Sequence, residues 1–373
     1  MVAGDRAATP VPVKSVHGVP LAASKTELRQ QFRDIRCTHS ESLPALLTQL
    51  RLSLLVSTYQ TGHLVVVAAR EGRLVLSFHQ FERAMGIAVK PGTIAVCTRK
   101  EVWFLRNAPD IAAKLEPAGH YDACFLARTS HFTGDIEAHE SAWVGREFWI
   151  VNTLFSCLAA LHPHYSFAPR WRPRFVSALR PEDRCHVNGL AVVDGQPRYV
   201  TALAETDSSS GWRPVKQSGG CLIEVPSSRL LIRGLSIPHS PRVDGKRIFF
   251  LHSGQGTLET ADPQTGQVSV VAAVPGVARG LAVHGGFAFV GLSKARPTLE
   301  GVPIVDKRDE LRCGLWVVDL RTGAIAAHLE FSAGVEEIFD VQVLPGIVFP
   351  YVSGPSAEQD TGQPLWTVPP ESK

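Results

Sequence analysis

One heptad recurs in degenerate form through most of the chain. It reads RAMGIAV at 83–89, HVNGLAV at 186–192 and VARGLAV at 277–283, with weaker copies HFTGDIE at 131–137, IPHSPRV at 237–243 and EIFDVQV at 337–343. The fourth-position residues are Gly86, Gly134, Gly189, Ser240, Gly280 and Asp340, spaced 48, 55, 51, 40 and 60 residues apart. Each copy precedes a turn, a strand such as FWIVNT or FAFVGL, and one or two further strands. A period of this length with about four strands per unit is the pattern of a β-propeller. Six copies predict an all-β, six-bladed β-propeller. The last copy has too few strands after it for a whole blade, and residues 51–80 supply the missing ones. Blade 1 is therefore expected to be shared by both termini, closing the ring. A pair of β-sandwiches gives no reason for the repeat.

The rest of the sequence fits this frame. Residues 51–352 alternate short β-rich runs with turn signals such as Asp194-Gly195, Asp244-Gly245 and Thr322-Gly323. Residues 1–22 are expected to be a flexible leader and 23–50 a helical segment. Within it, 24–36 starts with a capping box at Ser24 and Glu27, and a second helix covers 41–50. Residues 353–373 form a tail. With 45% hydrophobic and 20% charged residues among 373, the chain can bury a core. It has no apolar run of 18 residues and no apolar signal region at the start, which predicts neither a membrane span nor export. A net charge of +3, spread along the chain, gives no basic field for nucleic acid. Seven widely spaced cysteines without a CxxC predict reduced thiols and a cytoplasmic protein. Cys124, Cys157 and Cys185 carry no local sign of activation. Walker A, GxSxG and HExxH motifs are absent.

In a propeller the inner strand of each blade starts on the face where the second strand ends, so these ends should converge on one channel mouth. The inner starts give Arg83, His131, His186 with Asn188, His239, Arg279, and Glu336 with Glu337. The second-strand ends give Asn152, Glu205 with Asp207, His252 with Ser253, and Ser293 with Lys294. His186, His239, Asn188, His131 and Glu337 form a candidate metal set. Mixed imidazole and carboxylate ligands suit a divalent transition metal better than calcium. Arg83, Arg279 and Lys294, with Arg128 nearby, form a basic set that would grip an anionic substrate. Asn152 and Trp212 are further candidate substrate contacts. Each imidazole alternatively makes an internal hydrogen bond, and each arginine an internal salt bridge. The segment 120–140 holds the densest cluster of ligand-type side chains: His120, Asp122, His131, Asp135, Glu137, His139 and Glu140. Long polar loops at 204–220 and 294–311 are placed to carry specificity. Arg170, Arg172 and Arg174 beside Trp171 read as a solvated surface, since no wider basic field surrounds them, with a nucleic-acid or partner patch as the alternative.

The motifs HFTGDIEAHE, RWRPRFVSALRPEDRCHVNGLA, IPHSPR, ARGLAVHGGFAFVGLSKAR and VEEIFDVQVLPG resemble a bacterial family of conserved hypothetical propeller proteins, over about residues 50–352. A more distant similarity is to the gluconolactonase, paraoxonase and strictosidine-synthase propellers, in which an N-G-[LI]-A motif places an Asn on a channel-bound divalent metal. Asn188 matches that Asn, while Met85 and Arg279 stand at the corresponding places of other copies. His186 and His239 depart from an oxygen-rich calcium site.

The expected function is a metal-dependent hydrolase or lyase acting on a small anionic molecule. His186, His239 and Glu337 hold the metal, Arg83 and Arg279 the anion, and Glu205, His252 or Glu337 moves protons. The alternatives are a non-catalytic propeller binding a small ligand or a protein partner, and a metal-free acid–base lyase or synthase.

Overall fold

The computed structural model describes residues 9–10, 35–357, 360 and 365–368. It is a six-bladed β-propeller. Blade 1 joins both ends of the chain, with Asp340–Pro345 innermost, pairing antiparallel with Leu52–Thr58, then His63–Arg70 and Arg73–Gln80. Blade 2 runs from Ile87–Lys90 through Thr93–Cys97 and Glu101–Asn107 to Ala123–Phe132. Blade 3 comprises Ala138–Val144, Glu147–Asn152, Cys157–Ala160 and Ala168–Trp171. Blade 4 comprises Val187–Val193, Gln196–Ala202, Gly220–Glu224 and Arg229–Leu235. Blade 5 comprises Pro238–Asp244, Arg247–His252, Thr257–Ala261 and Val268–Ala273. Blade 6 comprises Val277–His284, Phe287–Ser293, Gly314–Asp319 and Ile325–Ala333.

Two edge strands were not foreseen. Arg36–His39 adds antiparallel to the outside of blade 6, and Pro350–Ser353 adds parallel to the outside of blade 2. Both cover outer edges that would otherwise offer unpaired backbone groups. Thr9–Pro10 pairs in turn with Thr38 and His39. The helix expected over 24–36 lies outside the described residues except at its end, where Arg36 is already in a strand. The helix expected over 41–50 is present as Ser42–Leu50. From the tail, Asp360 is buried and accepts hydrogen bonds from Gln80 N and His79 Nδ1 in blade 1.

The core is six separate cores, one in each gap between neighbouring blades. Leu54, Phe289 and Phe331 fill the gap between blades 6 and 1, and Leu64, Ile94 and Phe125 that between 1 and 2. The other four gaps are filled in the same way. A strand inside such a stack is buried on both faces, so Leu52–Thr58 lacks strict alternation and is wholly buried, its polar members being the small Ser53, Ser57 and Thr58. All seven cysteines are buried single thiols. Burial pushes the thiols of Cys97, Cys157 and Cys185 up to about 12, away from nucleophile chemistry.

Candidate functional site

The segments that lead into the six inner strands, with the first residues of those strands, bring one residue per blade to each of three tiers below the mouth. From blade 1 to blade 6 the outer tier is Glu337, Arg83, Glu137, His186, Ile237 and Val277. The middle tier is Phe339, Met85, His139, Asn188, His239 and Arg279. The deepest is Asp340, Gly86, Glu140, Gly189, Ser240 and Gly280. This corrects the expected blade 3 copy. Its inner strand is Ala138–Val144, so Glu140, not Gly134, occupies the fourth position. His131 consequently falls on the outer strand of blade 2, paired with Val102, and does not line the channel. His139 takes its place.

The deepest tier explains the repeat. At Gly86, Gly189 and Gly280 an added Cβ would sit within 3.0 Å of backbone atoms of the next blade's fourth-position residue: Glu140, Ser240 and Asp340 respectively. Those three residues sit in the alternate blades and reach forward by side chain. Glu140 accepts from Leu190 N at 2.8 Å, Asp340 from Ile87 N at 2.8 Å, and Ser240 Oγ from Gly280 N at 3.3 Å. Close backbone approach thus alternates around the ring with side-chain-to-amide bonding. Arg242 of blade 5 joins the two acids across the channel, 3.1 Å from Glu140 and 3.7 Å from Asp340. Burial and the Glu140 charge push the Asp340 carboxyl up to about 7, against the pull of Arg242.

In the middle tier two imidazoles are fixed in one tautomer. Thr153 Oγ1 donates to Val187 O at 2.6 Å, so its 2.7 Å contact with His139 Nδ1 is a bond it accepts. Ser253 Oγ donates to Ala278 O at 2.5 Å and accepts from His239 Nδ1 at 3.0 Å. Each Nδ1 also faces a backbone carbonyl, Glu137 O or Ile237 O. Burial first, then the positive charge of Arg279 and the nearby His186, holds both rings well below the usual imidazole range. They are neutral, and each Nε2 is left with a lone pair. In the outer tier His186 donates Nδ1–H to Asp183 at 2.9 Å, and Asp183 also accepts from Trp212 Nε1 at 2.7 Å. The His186 ring lies 4.8 Å from that of His139 and 4.4 Å from that of Trp212. None of the three Nε2 atoms bonds a described residue. The donor atoms of Glu137, Asp183 and His186 lie within 4.8 Å of one another, whereas the three imidazoles are not gathered that closely. Burial and the Asp183 charge raise the Glu137 carboxyl.

Backbone geometry singles out the outer tier. Arg83, Glu137, His186 and Ile237 hold equivalent positions in four consecutive blades, all left-handed, with φ of 55, 52, 53 and 41°. This region costs a non-glycine residue about 1–2 kcal/mol. A propeller built for stability alone would place glycine there.

Around blade 1 the mouth is cationic and aromatic, and it adjoins the imidazoles, the His139 ring lying 5.4 Å from that of Phe339. Tyr59 and Phe339 stack at 5.3 Å. The Arg279 guanidinium lies 3.6 Å from the Phe339 centroid, and those of Arg83 and Arg296 lie 5.5 and 5.8 Å from that of Tyr59. Glu337 pairs with Arg296 at 2.6 Å and with Arg279 at 3.6 Å. Burial and Arg296 bring Arg279 down to about 10.

Several expected site residues are engaged elsewhere. Asn188 donates to Pro238 O at 3.0 Å and accepts from Thr201 at 2.7 Å, fastening blade 4 to blade 5. Ser57, Thr153, Ser253 and Ser293 make comparable bonds to a neighbouring blade by hydroxyl. Blade 4 has Leu203 after its second strand, and Asn188 makes the bond instead. His252 uses both ring nitrogens, donating to Glu259 at 2.9 Å and accepting from Ser236 N at 2.8 Å, so no nitrogen is left to move a proton. Glu205 turns to Arg233 on the outer strand of blade 4, and Lys294 pairs with Glu336 at 3.8 Å. Asn152 is wholly buried and caps its turn through Phe155 N, out of reach of a substrate. Trp212 does stand at the mouth. The loops carrying Trp212 and Ile304 pack together over blades 4 to 6 around Leu203, Ile237 and Val302, and Lys216 donates to Thr298 O at 2.6 Å. Arg170 is held by Glu147.

Residues 41–352 match the model of a family described as a domain of unknown function (DUF4915). No curated protein matches the chain. Among solved structures, a chain from one titled "Crystal structure of Nidogen/Laminin Complex" is similar, at 10% identity and a TM-score of 0.49, over 79% of this chain and 99% of that one. Among the described residues no helix is long and apolar enough to cross a membrane.

Proposed function

The chain belongs to the DUF4915 family of domains of unknown function, and we propose that its propeller mouth is the site of a metal-dependent enzyme acting on a small anionic molecule. The observation that carries this is the common setting of His139, His186 and His239. All three donate Nδ1–H to a fixed oxygen and leave Nε2 without a protein partner. Such bonding is the usual outer support of metal-ligating histidine, fixing the tautomer and aiming the other nitrogen. Three imidazoles suit a transition metal such as zinc, iron or copper, in keeping with neutral rings that need lose no proton to bind. Ligation requires the three side chains to turn inward from their present spacing. A bound ion would supply Lewis acidity or an activated water. Glu137, with its raised carboxyl beside His186, is placed to take or give a proton. The arginine side of the mouth would hold the anion. Hydrolysis or elimination is the class of reaction this set serves.

Elemental analysis of untagged protein, purified without chelators, tests the proposal. The expected result is about one transition metal per chain, lost in His139→Ala/His239→Ala and kept in His131→Ala. Absence of metal after attempted reconstitution overturns it. A non-catalytic, ligand-binding propeller is favoured by one observation, the Glu140–Arg242–Asp340 set that fills the channel below the imidazoles. Chelator-insensitive turnover would instead point to acid–base chemistry by Glu137.

A further inference from the structure

We propose that Arg83, Arg279 and Arg296, gathered around the stacked Tyr59 and Phe339 rings, form a subsite for a phosphoryl dianion carried by the substrate. This rests on the mouth being a substrate site and is independent of the metal. Among the described residues, Glu337 is the one carboxylate paired with any of the three guanidiniums, leaving an excess of two positive charges. Arg83 has no carboxylate partner, and its one polar contact is a 3.5 Å approach to Tyr59 Oη. It is also one of the left-handed residues at the mouth, where glycine would sit without strain. The cation is thus retained at a backbone position that disfavours it, with no internal charge to meet.

Geometry favours phosphate over a pair of carboxylates. Arg83 and Arg296 lie within 6 Å of the same Tyr59 centroid, and Arg279 lies over the ring stacked upon it. Three planar donor forks around one small locus match a single tetrahedral group with several equivalent oxygens. Two carboxylates would call for two separated clamps. Glu337 occupies part of this locus, and an entering dianion takes over its ion pair with Arg296. The aromatic pair gives the organic part of the ligand an apolar surface beside the charged end.

Calorimetric titration of the full-length protein with phenyl phosphate, succinate and acetate tests this. Saturable binding of phenyl phosphate is expected, with acetate and succinate at least about tenfold weaker. Arg83→Ala and Arg296→Ala, both at exposed side chains, should each weaken it about tenfold. His131→Ala, on the outer strand of blade 2 away from the channel, should leave it unchanged. No saturable binding, equal affinity in an Arg83→Ala/Arg296→Ala double variant, a preference for succinate, or loss of binding in His131→Ala would each overturn the subsite. Phosphate binding by a protein that takes up no metal would leave it standing while the metal proposal fell.

Discussion

Thr153 decides what His139 can do. Its hydroxyl gives its proton to Val187 O, so it has only lone pairs to offer Nδ1, and the imidazole must carry its hydrogen on that side. One side chain thereby fastens blade 3 to blade 4 and aims Nε2 at the channel. Ser253 does the same for His239 and for the seam between blades 5 and 6. The propeller's own seams orient the proposed ligands.

Thr153→Val keeps the shape of the side chain and removes both bonds. Stability should fall by about 1–3 kcal/mol, since Val187 O is left buried without its donor. Metal affinity should fall about 10–100-fold, as for loss of other outer-shell partners. Denaturant titration and competition with a chelator read the two effects separately. Unchanged affinity alongside lost stability would confine Thr153 to the seam.

Asn188 was expected on a metal and is found between blades. Asn188→Ala should cost about 1–3 kcal/mol through the orphaned Pro238 O, with metal content unaltered. Loss of metal without loss of stability would restore the ligand role that the resemblance to lactonase-type propellers implied.

The blade count, the shared blade and the location of the mouth were legible because the repeat follows from local packing. A residue at the fourth position touches the next blade's backbone, and that contact admits few side chains. Blade 3 hid itself because Glu140 replaces glycine there, while Gly134 serves a connection with φ of +75° and imitates the motif. His131 was read for His139 as a result. Aligning EAHE on the positions of RAMG would have found it. The acid set was out of reach for another reason. Arg242 and Glu140 are 102 residues apart, and only closure of the ring brings them together. Arg296 and Asp183 arrive from loops whose paths carry no periodic signal.

Asp340 gives the stability a recognisable pH dependence. Its carboxyl is raised from the ordinary aspartate range to about 7 in the folded protein. The folded state therefore holds this proton more tightly than the unfolded chain. Its contribution is fully present below the unfolded value and is lost as pH rises through about 7. His139 and His239 act in the opposite sense, because rings held below the usual range favour the folded state as pH rises toward neutrality. The useful quantity is the difference between wild type and Asp340→Asn. Relative to the variant, wild type should lose stability steadily between pH 4 and 8. A difference that does not change with pH would show that Asp340 is ionised throughout.

Arg242 bears the charge balance of the channel. It is buried, it spans blades 5, 3 and 1, and it is the cation paired with both Glu140 and Asp340. Arg242→Met fills much of its volume but leaves two acids facing each other in a medium that solvates neither. Breaking one side of a buried ion set costs about 3–5 kcal/mol. Replacing all three by Met, Gln and Asn removes the charges while keeping acceptors for Leu190 N and Ile87 N, and should recover most of that loss. If Arg242→Met unfolds at the wild-type denaturant concentration, then water or an added cation reaches the acids, and the channel is open past the imidazoles. If the triple variant recovers stability but retains metal and phosphate binding, the set is a structural plug beneath a mouth that works without it.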